Sequence, residues 1–134
     1  MPPLPTPFQR YDPIANVWVV SGAFDYDVRM PLARAGTGPA VYSHGRFFVF
    51  GGETLTNPGW LAHNETMVYS RVDIFNPATG NWSVGPTMPE GKHGISATGT
   101  PYGIVLAGGG TTAGRSRSSS VHALRVAPSA WQPF

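Results

Sequence analysis

The sequence predicts an all-β fold assembled from repeated strand modules, and three observations carry that expectation. Gly (17) and Pro (14) are abundant while charged residues make up only 12% of the 134-residue chain, about half the usual share, a mixture that suits many short strands joined by tight turns. A distinctive turn, YDPIANVW at 11–18, returns as FNPATGNW at 75–82. Two apolar runs, RFFVFGG at 46–52 and GIVLAGG at 103–109, each end in a glycine pair. The length fits one domain, able to bury roughly two thirds of the surface its unfolded chain exposes if the elements close around a core.

The turn sets the repeat. In Asn76-Pro77-Ala78-Thr79-Gly80, the Asn side chain opens the turn, Pro presets φ for the next position, and Gly supplies the left-handed residue that returns the chain into a strand. In Asp12-Pro13-Ile14-Ala15-Asn16 the roles recur, with Asn16 in the place of Gly80, because Asn tolerates the left-handed region. Asp12 is therefore a turn residue and not a catalytic carboxylate. Both copies close on a Trp, and a worn third copy appears where VDIFNPATGNW (72–82) aligns without gaps to VHALRVAPSAW (121–131). Trp18, Trp82 and Trp131 are spaced 64 and 49 residues apart, which describes a module near 50 residues carrying loop insertions. A second series interleaves with the first, MPLARAG at 30–36 matching MPEGKHG at 88–94.

The order Met-Pro, small residues, apolar run, Gly-Gly, loop, strand, turn, Trp resembles the kelch repeat, the four-stranded blade of one class of β-propeller. The resemblance rests on Gly51-Gly52 and Gly108-Gly109, on the turns at Tyr11 and Phe75, and on the three Trp residues. It covers nearly the whole chain, and kelch units run about 50 residues per blade. The competing arrangement is a β-sandwich with chance self-similarity.

On this reading each element has an expected place. The small-residue stretches 36–42 and 94–99 suit an innermost strand beside a propeller axis. Phe47–Phe50 and Ile104–Ala107 read as strands buried on both faces. Val68–Phe75 alternates and forms the third strand, and Trp82 begins the outermost one. Pro39 sits awkwardly in an inner strand, since it donates nothing to a ladder. The chain divides into a partial blade at 1–20 (its last two strands), a blade with long loops at 21–85 and a blade at 86–134. Two and a half blades leave sheet faces uncovered, because a propeller closes with typically about four to eight. The expected partners are therefore the remaining blades of a longer propeller or copies of the same chain.

The functional reading follows from the loops. Segments 21–35, 53–67 and 110–119 are the longest and least regular, and they emerge on one edge of antiparallel blades, the expected place for binding on a rigid scaffold. Trp60, beside His63 in a Pro-Gly loop, is an anchor for a protein partner, a stacking platform for a sugar ring, or a lid folded back on its own blade. Arg34, Lys92 and His93 stand just before the innermost strands; they form either a basic ring for an acidic or polar ligand or a set of hydrogen bonds to loop carbonyls and neighbouring blades. The expected function is a non-catalytic interaction module that presents loops to a protein or glycan partner. The alternative is a fragment of a carbohydrate-active propeller enzyme, oxidase-like or mutarotase-like.

Other chemistries fit poorly. A net charge of +2 is too small for a nucleic-acid surface, despite a pI near 9.3. No apolar stretch approaches the ~20 residues of a spanning helix, so no membrane partner is expected; the N-terminal segment shows no export signal, and the compartment is left open. GGTTAGRS at 109–116 nearly matches a phosphate-binding loop, but Arg115 replaces the Lys and a strand-like segment follows where a helix is required. The four His residues lack metal spacing. With no Cys, the Tyr–Cys cofactor of kelch-bearing copper oxidases cannot form, and no cofactor is expected. Asp25 with Asp27, or Glu53 with Glu65, are the carboxylate pairs that spacing alone offers as acid and base. Asn64-Glu-Thr66 and Asn81-Trp-Ser83 match the glycosylation pattern, as such short patterns often do by chance.

Overall fold

The computed structural model describes residues 9–20, 30–56, 65–126 and 129–133. Among them every regular element is a strand. Strands β1 (Gln9–Asp12) and β2 (Val17–Val20) form a hairpin. Strands β3 (Val41–Ser43), β4 (Arg46–Phe50), β7 (Val72–Asn76) and β8 (Asn81–Val84) form one four-stranded antiparallel sheet in that order. Strands β5 (Glu53–Thr56) and β6 (Glu65–Val68) form a separate hairpin inserted after β4. Strands β9 (Ser96–Thr100), β10 (Gly103–Ala107), β11 (Val121–Val126) and β12 (Ser129–Pro133) form the second four-stranded sheet. The all-β class and the four-stranded antiparallel sheets are thus as the sequence indicates.

The repeated turn folds the same way twice. Asp12 Oδ1 accepts from the backbone N–H of Ile14 (2.9 Å) and Ala15 (3.1 Å), and Asn76 Oδ1 accepts from Ala78 N–H (3.0 Å). Asn16 and Gly80 both take the left-handed conformation, with φ of 55° and 74°. Tyr11 pairs with Trp18 and Phe75 with Trp82 across their hairpins, with ring centroids 5.3 and 5.1 Å apart at 45° and 42°. In the third copy Leu124 pairs with Trp131, and the ladder runs on to Val126↔Ser129. Its turn lacks the Asn-Pro and Gly signals, and the strands continue closer to the tip.

The glycine pairs repeat as exactly in function. All four residues have positive φ: Gly51 55°, Gly52 103°, Gly108 66° and Gly109 85°. The first of each pair donates to the residue that precedes the third strand of its sheet, Gly51 N–H to Arg71 O (2.9 Å) and Gly108 N–H to Ser120 O (3.1 Å). The residue after each pair forms a reciprocal bridge to the segment before the inner strand, Ala35↔Glu53 and His93↔Gly110.

Three segments differ from the sequence reading. Residues 53–67 carry the paired strands β5 and β6 at their ends, because the short ETLT and ETMV runs alternate and pair in register from Glu53↔Val68 to Thr56↔Glu65. Val68 accordingly belongs to β6, and the third strand starts at Val72. The first inner strand starts at Val41, which leaves Pro39 ahead of the ladder, where its missing N–H costs nothing. Gly38 lies against the Ile95 backbone there, with no room for a Cβ.

The two large sheets pack face to face. Val41, Phe48, Phe50, Val72 and Ile74 from the first meet Ala97, Ile104, Leu106, Leu124, Val126 and Trp131 from the second, with Met88 and Ile95 of the connecting segment between them. Phe50 meets Trp131 edge to face at 6.1 Å, and Trp131 Nε1–H donates to Pro86 O (2.9 Å). Phe50, Val72, Ile104, Leu106 and Leu124 are essentially without exposure, and each such side chain contributes roughly 1.5–3 kcal/mol on burial.

Candidate functional site

Strand direction gathers the irregular segments on one edge of the sheets. There β4 and β10 end, β3, β7, β9 and β11 begin, and the two bridges tie the segments together. The opposite edge carries tight connections: His44-Gly45, both at positive φ (50° and 75°) as a two-residue type I′ turn requires, then 77–80 and Pro101-Tyr102.

The structure takes Arg34 inward. Its Nη1 lies 2.8 Å from Asp73 Oδ2 with neither side chain exposed, Nη1 also donates to Leu32 O (3.1 Å), and Nε donates to Gly51 O. Arg71 approaches the same carboxylate, Nε reaching both oxygens (2.8 and 2.9 Å) and Nη2 lying 2.7 Å from Oδ1. The hydrogen bond to Asp73 raises the Arg71 pKa above its ordinary value, outweighing burial, which lowers it; the Asp73 charge adds to the rise. Two guanidinium groups on one carboxylate leave the cluster with net charge +1, and Arg34 Nη2 is buried with no hydrogen-bond partner among the described residues.

Lys92 occupies the matching place in the second module and is also internal, 1% exposed. Its Nζ donates to Ser120 O (3.2 Å) and lies 3.8 Å from Glu90 Oε1. Glu90 Oε1 also accepts from the Ser118 and Ser120 hydroxyls (3.3 and 3.0 Å). Arg34 and Lys92 therefore each brace the start of the third strand of their own sheet, and both face the interior.

His93 and Glu53 join the two modules. His93 Nδ1 stands 3.7 Å from Glu53 Oε1, with side chains 12% and 14% exposed. His93 Nε2 lies 2.9 Å from Thr112 O; a carbonyl only accepts, so Nε2 carries the proton in this arrangement. Glu53 Oε2 accepts from Gly114 N–H (2.7 Å), and Ser116 Oγ bonds both the N–H and the carbonyl of Thr112. Segment 110–120 is thus pinned by Glu53 and His93 near its start and tip and by Glu90 at its end. Between those pins Arg115 and Arg117 are exposed, and with Ser116 they line an open recess of about 320 Å³.

Among the residues expected at the loop edge, Arg34, Lys92 and His93 are brought to it but spent on internal contacts. Trp60 and His63, with Asp25 and Asp27, lie outside the described residues. Glu53 and Glu65 sit at opposite ends of the β5–β6 hairpin, in the pairs Glu53↔Val68 and Thr56↔Glu65. No group of three or more His, Asp or Glu among the described residues is placed to hold a metal ion. Sequence reasoning missed Asp73, Glu90 and the Glu53–His93 contact. Asp73 carried one signal, a lone carboxylate in the apolar strand VDIF, which demands a buried cationic partner.

No protein-family model matches the chain, and no curated protein matches it.

Proposed function

We propose that the two large sheets are successive blades of an incomplete kelch-type propeller, and that the chain is a non-catalytic interaction module whose loop edge binds acidic groups of a protein or glycan partner. The propeller reading is supported by the repeated register of strands, glycine pairs and bridges. Opposite, not matching, faces of the two modules meet, which is the stacking a radial repeat needs. The binding reading rests on one observation above the others: segment 110–120 is anchored by His93, Glu53 and Glu90, and between those anchors Arg115 and Arg117 are exposed and line a recess. Such preorganisation reduces the ordering cost of binding, and paired guanidinium groups suit carboxylate or sulfate acceptors.

The enzymatic alternative would assign proton transfer to His93 and Glu53. Both are tied to the backbone of 112–114, so turnover would require that loop to release them. The test is a binding screen of the purified chain against acidic peptides and acidic or neutral glycans, repeated with Arg115→Ala/Arg117→Ala and with His93→Gln. Binding lost in the double arginine variant, with its melting curve unchanged, supports the module reading. Sugar turnover that disappears in His93→Gln while binding persists overturns it, as does equal binding by the arginine variant.

A further inference from the structure

Register alone identifies matching rows of side chains in the two large sheets. Across the first sheet Tyr42, Phe47, Phe75 and Trp82 are consecutive cross-strand partners, and across the second Gly99, Ile104, Leu124 and Trp131 are. The second row is packed against the first sheet, where Ile104 and Leu124 are fully buried. Among the described residues, the first row has no such cover along its inner half. Tyr42 is 61% exposed and Phe47 36%, their rings 4.9 Å apart at 48°, whereas Phe75 is 4% exposed.

The other faces show the converse. On the first sheet Val41, Phe48, Ile74 and Phe50 receive the second sheet. The matching positions of the second sheet are Thr98, Val105, Ala123 and Ala107, all half-buried or exposed. The two unused faces differ from the used ones in opposite senses. The first sheet is bulkier, with Tyr for Gly and Phe for Ile and for Leu. The second is smaller, with Val and Ala where the first has Phe48 and Phe50, and Ala where it has Ile74. The large aromatic pair is complementary in volume to the small-residue face, and close packing of that kind is what an interface core requires.

We propose that the Tyr42–Phe47 surface is a docking site for a second copy of this chain, which seats the Thr98–Val105–Ala107 surface of its β9 and β10 there, repeating between molecules the contact already made within one. The partner is a second copy because the complementary face is carried by the same chain, and a net charge of only +2 offers little repulsion between copies. The contact is heterologous, one face against a different one, so it extends to a ring or to a filament and does not stop at a two-fold dimer. This inference stands apart from ligand binding at the loop edge.

The test is sedimentation velocity on the intact chain, on Tyr42→Arg, on Thr98→Arg and on an equimolar mixture of the two variants. Both substitutions fall on exposed side chains, so each folds as wild type by circular dichroism and melting. Wild type sediments as a concentration-dependent oligomer and each variant as a monomer. The mixture forms heterodimers that grow no further, because one variant keeps the intact small face and the other the intact aromatic face. A monomeric wild type at every concentration overturns the proposal. So does an oligomer that persists in either variant, or a mixture that stays monomeric. Tyr42→Ser serves as a second probe should the charged variant misfold, and it too must weaken assembly.

Discussion

Arg34 and Asp73, 39 residues apart in sequence, meet as a fully buried ion pair at 2.8 Å, with Arg71 on the second side of the carboxylate. Asp73 is the only counter-charge these two guanidinium groups share among the described contacts. Asp73→Asn leaves Arg34 buried without it and is expected to destabilise the fold by about 3–5 kcal/mol, read from urea unfolding. Replacing both partners by apolar residues, Arg34→Met with Asp73→Leu, is expected to cost less than Asp73→Asn alone, because the fully buried Arg34 charge is removed with its partner and Arg71, 32% exposed, keeps access to solvent.

Gly51 and Gly45 both have positive φ, 55° and 75°, but their surroundings differ. A Cβ on Gly51 would strike the Lys92 carbonyl, whereas one on Gly45 meets nothing. Gly45→Ala should cost about 1–2 kcal/mol, the left-handed backbone penalty alone. Gly51→Ala adds backbone displacement at the junction of the two sheets, a further cost of about 1–3 kcal/mol. Paired chemical denaturation curves decide it, and equal losses would remove the steric argument.

The shared core gives a third contrast. Leu124→Ala removes a side chain with 0% exposure between the sheets and is expected to cost about 2–5 kcal/mol. Tyr42→Ala, on the uncovered row of the first sheet, should cost less than about 1 kcal/mol in the monomer. Thermal melts at low protein concentration measure both.

Asp12 provides a pH signature. N–H groups of Ala15 and then Ile14 hold its pKa below the ordinary value of 3.8, and the charge of Arg10 pushes the same way against a small effect of burial. Since the folded pKa is the depressed one, its contribution to the hairpin is present above pH 3.8 and is lost as pH falls through the folded value. The amide resonances of Ile14 and Ala15 should therefore titrate with a midpoint below 3.8. A midpoint at or above it would mean the turn bonds do not hold the carboxylate.

The turns and the modules were legible because their signals are local. Asp12, Asn16, Asn76 and Gly80 announce their backbone conformations within five residues, and the glycine pairs mark strand ends by the φ values only glycine adopts cheaply. The β5–β6 hairpin was hidden because its strands are four residues each and flank a long insertion, so neither shows enough alternation to stand out. Arg34 and Lys92 look like ligand-binding cations when read beside small residues; their burial depends on Asp73 and on Ser120 O, which only the tertiary fold brings near. The Glu53, His93 and Gly114 cluster draws on three segments spread over 61 residues, and no spacing rule reaches that far. Arg115 and Arg117 stood in a loop that resembled a failed phosphate motif, and their presentation became visible only once the pins on either side were in place.

The most direct test of the account is a chemical-shift map of the ¹⁵N-labelled chain titrated with a short polyglutamate peptide and with a sulfated oligosaccharide. The account predicts saturable shifts at residues 111–118 for at least one of the two, with the turns at 44–45, 77–80 and 101–102 unmoved. Shifts confined to those turns, or none with either probe, would contradict it.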